Sequence, residues 1–274
     1  MVWAKFRVSE VPPEELVVEV KRYPGEKLLL VELVDYYLYA VKQFFRDCRN
    51  ALDVVNKVIV EVKYPLDWRG YPTNFHYTQA FKYLPNKCLV TLKNELDFWQ
   101  KSSETVLFRY GDCEDSSILA AAGHQILGYP WFVAFGEVYL NDKLLGGHGW
   151  EVFRGDDGVW RLNETTLDEP IKTLDELPRV DLSTNVWWWG RVKYVAKMLW
   201  NLEEIWVWVE SGEKMSVEVV GKVLREYMAR RGFEVGEKRR VEREKLRALG
   251  EGIGRRVKGV ERGRRRFRWR WFRW

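Results

Sequence analysis

Between residues 26 and 62 (EKLLLVELVDYYLYAVKQFFRDCRNALDVVNKVIVEV) apolar side chains recur three and four positions apart with charges between them, the period of a helix with one buried face. Residues 1–100 accordingly read as mostly helical. The period breaks in KYPLDWRGYPTNFHY, where Pro65, Gly70 and Pro72 predict a connecting loop, and resumes in LVTLKNELDFWQKSSETVLFRY. Next, DCEDSSILAAAGHQILG sets Ile118, Ala122 and Ile126 on one stripe and ends in Gly128, which predicts a helix with a stop signal. Three strand-like runs follow, WFVAFGEVYL, LLGGHGWEVF and VWRLNETT, joined by the turn formers NDK and RGDDG, so an antiparallel meander with the helix across it is the simplest arrangement. The aromatic run VWWWGRVKYVAKMLWNLEEIWVWVE reads as helix and then strand. SVEVVGKVLREYMARR predicts an amphipathic helix with Val217, Val220, Val223, Leu224, Tyr227 and Met228 on one face. The pattern divides the chain into a mainly helical region (1–94), an α+β core (95–210) and a basic helical extension (211–274).

Composition places this chain among folded proteins: 274 residues with 46% hydrophobic content can bury a large core. Charge sharpens the division. From Ser211 to Trp274 there are 21 Lys and Arg against 9 Asp and Glu, which leaves 24 against 31 in residues 1–210, so an acidic body carries a basic tail. Arg191, Lys193, Lys197, Glu203 and Glu204 interrupt the aromatic run too often for a membrane span, and the start MVWAKFRVSEVPPEE lacks the apolar block of a secretory signal. A cytoplasmic location is the expectation. Abundant Glu, Lys and Arg with four glutamines match the balance of heat-adapted proteins.

The three cysteines, Cys48, Cys88 and Cys113, are odd in number and never in a CxxC pair, which indicates neither a disulfide framework nor a zinc site. Cys113 stands apart. Asp112 is a good N-cap and Asp115 resembles the other half of a capping box, so the thiol falls in the first turn of its helix. The helix dipole there favours a thiolate, while the carboxylates of Asp112, Glu114 and Asp115 oppose it, so a cation must complete any activation. His148, in GGHGW, is the natural partner. His124 lies eleven residues along the same helix from Cys113, about 16 Å away at 1.5 Å per residue, and His76 sits in the irregular segment. A catalytic imidazole needs an acceptor on its second nitrogen. If Phe153 pairs with Val159 across RGDDG, His148 lies opposite Glu164; a loop one residue shorter substitutes Asn163.

In the order GDCED, GHGW and WRLNETT, these segments resemble the Cys, His and acid motifs of the transglutaminase-like, papain-like cysteine enzyme superfamily, in its bacterial and archaeal form. The resemblance covers residues of about 95 to 170. It implies an α+β, papain-like core, with Cys113 as nucleophile, His148 as general base and acid, and Glu164 at the family's aspartate position, followed by Thr166. Glutamate for aspartate is one departure; a histidine motif one residue short before its glutamate is another. The activity implied is acyl transfer from a peptide or protein amide to water or an amine, with no metal or organic cofactor. The Cys113 amide would be one oxyanion donor, and Gln100 or Trp99 are candidates for a second.

The tail, RRRFRWRWFRW, is the other functional candidate. Arg264, Arg265, Arg266, Arg268, Trp269, Arg270 and Trp271 alternate charge with aromatic surface, which suits nucleic acid, a protein partner or, less well, an anionic membrane surface. The rival to an enzyme is therefore a catalytically silent fold that binds nucleic acid or protein through this end.

Overall fold

Asn141 and Asp142 both adopt positive φ, 49° and 65°, and so close a two-residue hairpin of the type whose twist matches the strands it joins. Around that hairpin the rest of the sheet is built. A computed structural model of the protein describes residues 2–19, 27–64, 99–167, 169–180, 185–188, 192–211 and 215–231. Its strands are β1 (Val2–Arg7), β2 (Val17–Glu19), β3 (Lys27–Leu29), β4 (Trp131–Leu140), β5 (Lys143–Arg154), β6 (Trp160–Asn163), β7 (Asn185–Trp188), β8 (Val192–Trp200) and β9 (Glu204–Val209). Its helices are α1 (Tyr39–Phe44), α2 (Ala51–Glu61), α3 (Ser102–Phe108), α4 (Cys113–Leu127) and α5 (Glu218–Arg231).

The main sheet is antiparallel throughout, in the order β1-β9-β8-β4-β5-β6, with β7 on the first half of β8. β2 and β3 form a separate pair. The class is mixed α+β, and β4, β5 and β6 are the expected meander. One face of β4 and β5 carries α4, against which α1, α2 and α3 pack in turn. Gly123 permits the tightest of these approaches, since a Cβ there would stand 2.7 Å from Phe45 and Val54. α5 lies on the same side, its Tyr227 stacked on Phe135 at 4.5 Å. Val220, Leu224 and Tyr227 are buried there, as the amphipathic reading predicts. Among the described residues no helix is long and apolar enough to cross a membrane.

Two expectations about local structure are corrected. Residues 186–188 and 192–200, in the run read as helix and then strand, form strands. Val192, Tyr194, Ala196 and Met198 are buried while Lys193, Val195 and Lys197 are half-buried, a period of two that pairing with β4 selects over the helical alternative. The mainly helical region also begins otherwise: residues 2–19 and 27–29 supply three strands and short 3-10 turns, Pro12 and Pro13 break any helix, and β1 pairs with β9. α2 does form, started by Asn50, whose Oδ1 accepts from the Asp53 amide at 2.9 Å. The expected loop at 63–77 beyond Tyr64, the rest of the segment before Trp99, and the tail after Arg231 lie outside the described residues.

Candidate active site

Arg109 ends α3 in the left-handed conformation, with φ 58°, and turns the chain so that α4 begins four residues later at Cys113. The start of α4 is held by Asp115, one carboxylate oxygen of which accepts from the Asp112 amide at 3.2 Å. Asp115 also accepts from the Gln100 backbone at 2.8 Å and from Gln100 Nε2 at 2.7 Å, while Gln100 Nε2 gives its other proton to the Tyr110 carbonyl at 3.1 Å. Both side-chain protons of Gln100 are thus committed. Gln100 anchors the helix start and is not poised as an oxyanion donor, which corrects that expectation. Burial pushes the Asp115 carboxyl well above its ordinary range, the neighbouring Glu114 charge adds to this, and the Gln100 donors pull against it. Trp99 is buried, with its ring edge-on to Phe135 at 5.2 Å and 6.3 Å from Tyr227.

Cys113 takes the predicted place in the first turn, buried, with Asp112 and Glu114 buried beside it. Its Sγ donates to Glu114 Oε2 across 3.2 Å, a contact that requires a proton between sulfur and carboxylate. The ligand atoms of Asp112, Cys113 and Glu114 lie within 4.8 Å of one another, close enough for a shared cation; these three adjacent residues form the sole such group among the described residues.

The histidine finds its acceptor. His148 Nε2 lies 2.7 Å from Glu164 Oε2, with both side chains buried. The strand register is not the expected one, since Phe153 pairs with Arg161 rather than Val159. That slip of two residues preserves the pleat, so Glu164, one position beyond β6, still falls on the imidazole's face. Asn163, the alternative, falls on the other face and donates to Glu151 Oε2 at 2.7 Å instead. Glu164 Oε1 accepts from Thr166 twice, at 3.0 Å from its amide and 2.7 Å from its hydroxyl, and Tyr194 donates to Oε2 at 2.9 Å.

Alternation along β5 divides the neighbourhood in two. His148 and Trp150 share one face with Tyr194, whose ring centroid is 6.1 Å from the first and 5.2 Å from the second. Gly149, Glu151 and Phe153 share the other, the face that α4 covers. There His124 Nδ1 lies 2.6 Å from Glu151 Oε1 and the His124 ring stacks on Phe153 at 4.4 Å. A Cβ on Gly149 would stand 3.2 Å from Glu114 Cα, so the first turn of α4 rests on the residue that follows His148. His148 and Glu164 are thereby brought together, and Cys113 is carried to the bare backbone beside them. His76, Cys88 and the tail residues Arg264 to Trp271 lie outside the described residues. Sequence reasoning missed Tyr194 and the His124–Glu151–Asn163 cluster; the alternation around Tyr194 was the available signal for the first.

Burial alone would raise the Glu164 carboxyl, but the His148 charge and the hydrogen bonds from His148 and Thr166 outweigh it and hold the group below its ordinary 4.5. A carboxylate so depressed stabilises the fold fully above the unfolded-state value and loses that contribution as pH falls through the folded one. Thermal melts between pH 7 and pH 3 should therefore show Tm falling once pH passes below about 4.5, and Glu164→Gln should flatten that limb. An unchanged limb in the variant would exclude Glu164 as its origin.

Comparison with family models, with curated proteins and with solved structures finds no match to this chain.

Proposed function

We propose that this protein is a cysteine-dependent hydrolase or acyl transferase of the transglutaminase-like kind, acting on a peptide or protein amide, with Cys113 as nucleophile, His148 as base and acid, and Glu164 as the residue that orients the imidazole. The observation that carries it is the 2.7 Å contact between His148 Nε2 and Glu164. A carboxylate accepts, so Nε2 holds the proton and the neutral ring places its lone pair on Nδ1. That atom takes the thiol proton as sulfur attacks the carbonyl carbon. The imidazolium then protonates the departing amine as the C–N bond breaks, leaving a thioester on Cys113. Water or a second amine, deprotonated by the same ring, attacks the thioester and returns the thiol. To enter this cycle the thiol has to leave Glu114 and reach the imidazole past Gly149.

A second reading draws on the pleat, which puts the imidazole on the face of β5 opposite α4. In it the fold is silent, and the tail from Arg264 to Trp271 binds nucleic acid or protein. Alkylation by iodoacetamide between pH 4 and 9, followed by peptide mass spectrometry, separates the two. Cys48 is a built-in reference, because burial pushes its thiol up to about 11, with Lys57 opposing. At pH 6 Cys113 should react at least about tenfold faster than Cys48 and lose that advantage in His148→Ala. A Cys113 that reacts no faster than Cys48 would sink the enzyme reading and leave the silent fold.

A further inference from the structure

We infer that Tyr194 is a positioning residue of this site: its hydroxyl fixes the Glu164 carboxylate that in turn orients His148. The inference rests on the catalytic reading above and deepens it. Glutamate carries one more rotatable bond than the aspartate that the motif order leads one to expect, so its carboxylate needs more anchors to stay in one plane. It has them. Oε1 is held by the Thr166 amide and hydroxyl, both from the turn just after Glu164 itself. Those two bonds alone leave Oε2 with the imidazole, the group to be oriented, as its partner. The Tyr194 hydroxyl supplies a second donor to Oε2 at 2.9 Å, reaching it from β8, across β4 and β5 in the sheet order.

This donor is itself immobile. Tyr194 is fully buried, its ring lies edge-on to Trp150 at 5.2 Å, and its backbone is paired opposite Val138 on β4 and Val186 on β7. Packing therefore aims the hydroxyl without help from the bond it makes. Burial, and after it the Glu164 charge, push the phenol well above its ordinary value, so it remains a donor throughout the working range of a histidine. A tyrosine that merely satisfied its own hydroxyl in the core would contribute to stability and leave the imidazole unaffected.

Tyr194→Phe keeps the ring and removes the donor. In protein labelled with 15N-histidine, the Nε2–H signal of His148, assigned by its loss in His148→Gln, should move upfield and exchange with water about tenfold faster in Tyr194→Phe, as a freed carboxylate spends less time on the imidazole. Tyr139→Phe removes a similar bond, from Tyr139 to Glu137 at 2.8 Å, and should leave that signal in place. An unchanged Nε2–H signal in Tyr194→Phe overturns the inference. Should that variant fail to fold, the wild-type chain decides: a slowly exchanging Tyr194 hydroxyl proton with a cross-peak to His148 Nε2–H, lost in Glu164→Gln, supports the inference, and its absence overturns it. Cys113 alkylation at pH 6 should also fall about tenfold in Tyr194→Phe while the rate at pH 9 stays within about twofold. If wild-type Cys113 proves unreactive, the catalytic reading fails while the histidine signal still judges Tyr194.

Discussion

Gly136→Ala should unfold the protein or remove more than about 3 kcal/mol of its stability, read as the fall in the urea midpoint at constant slope. A Cβ on Gly136 would stand 2.1 Å from the Val195 carbonyl oxygen, 2.9 Å from Ala196 Cα and 2.9 Å from the Trp150 ring. Two of these are backbone atoms of the paired strand and the third belongs to a buried indole, so no flexible side-chain end can yield. The site is also a bulge, where the register between β4 and β8 shifts between Phe135 and Gly136. Relief would mean breaking the ladder at the centre of the sheet. Gly158→Ala provides the contrast. Its φ of +75° strains an alanine, yet nothing lies within 4 Å of the added methyl, so the loss should stay near 1 kcal/mol. Equal losses at the two sites would refute the steric account.

His124→Ala is the second large effect, expected at about 3–5 kcal/mol, because it strands a buried carboxylate and opens a void in the same step. Glu151 is fully buried between His124, at 2.6 Å, and Asn163, at 2.7 Å. The His124 ring also fills the space between Phe153, at 4.4 Å, and Tyr129, at 5.8 Å. Replacing both partners, His124→Leu with Glu151→Met, removes the stranded charge and restores volume, so the double variant should be more stable than His124→Ala. If instead the two changes simply add, the pair is not the coupled unit its geometry describes.

The start and stop of α4 could be read because their signals are local: Asp112 and Asp115 at one end, and Gly128, with φ 80°, at the other. The pairing of His148 with Glu164 survived a register wrong by two residues, since only odd slips exchange the faces of a strand. Gln100 was misread for the opposite reason. Its partners, Asp115 and the Tyr110 carbonyl, are fixed by how the chain folds back before α4, and nothing in its immediate neighbours reports that. β8 was lost because lysines at 193 and 197, with Tyr194, Val195 and Ala196 between them, satisfy a helical stripe as well as an alternating one, and it is pairing with β4 that decides. The origin of β1 could not be read at all, for its partner β9 lies at the far end of the described sheet sequence.

That last pairing has a kinetic consequence. Val2 faces Val209 and Arg7 faces Glu204, so β1, made before the other described strands, is the one that waits longest for its neighbour. On the ribosome, Trp3 and Phe6 emerge long before the surface that half-buries them exists, and the closing of this ladder carries the loop entropy of the 196 residues between Arg7 and Glu204. Folding should accordingly end with a slow docking of the amino-terminal strand, preceded by an intermediate in which β9 is an open edge and the chain is most prone to associate with copies of itself.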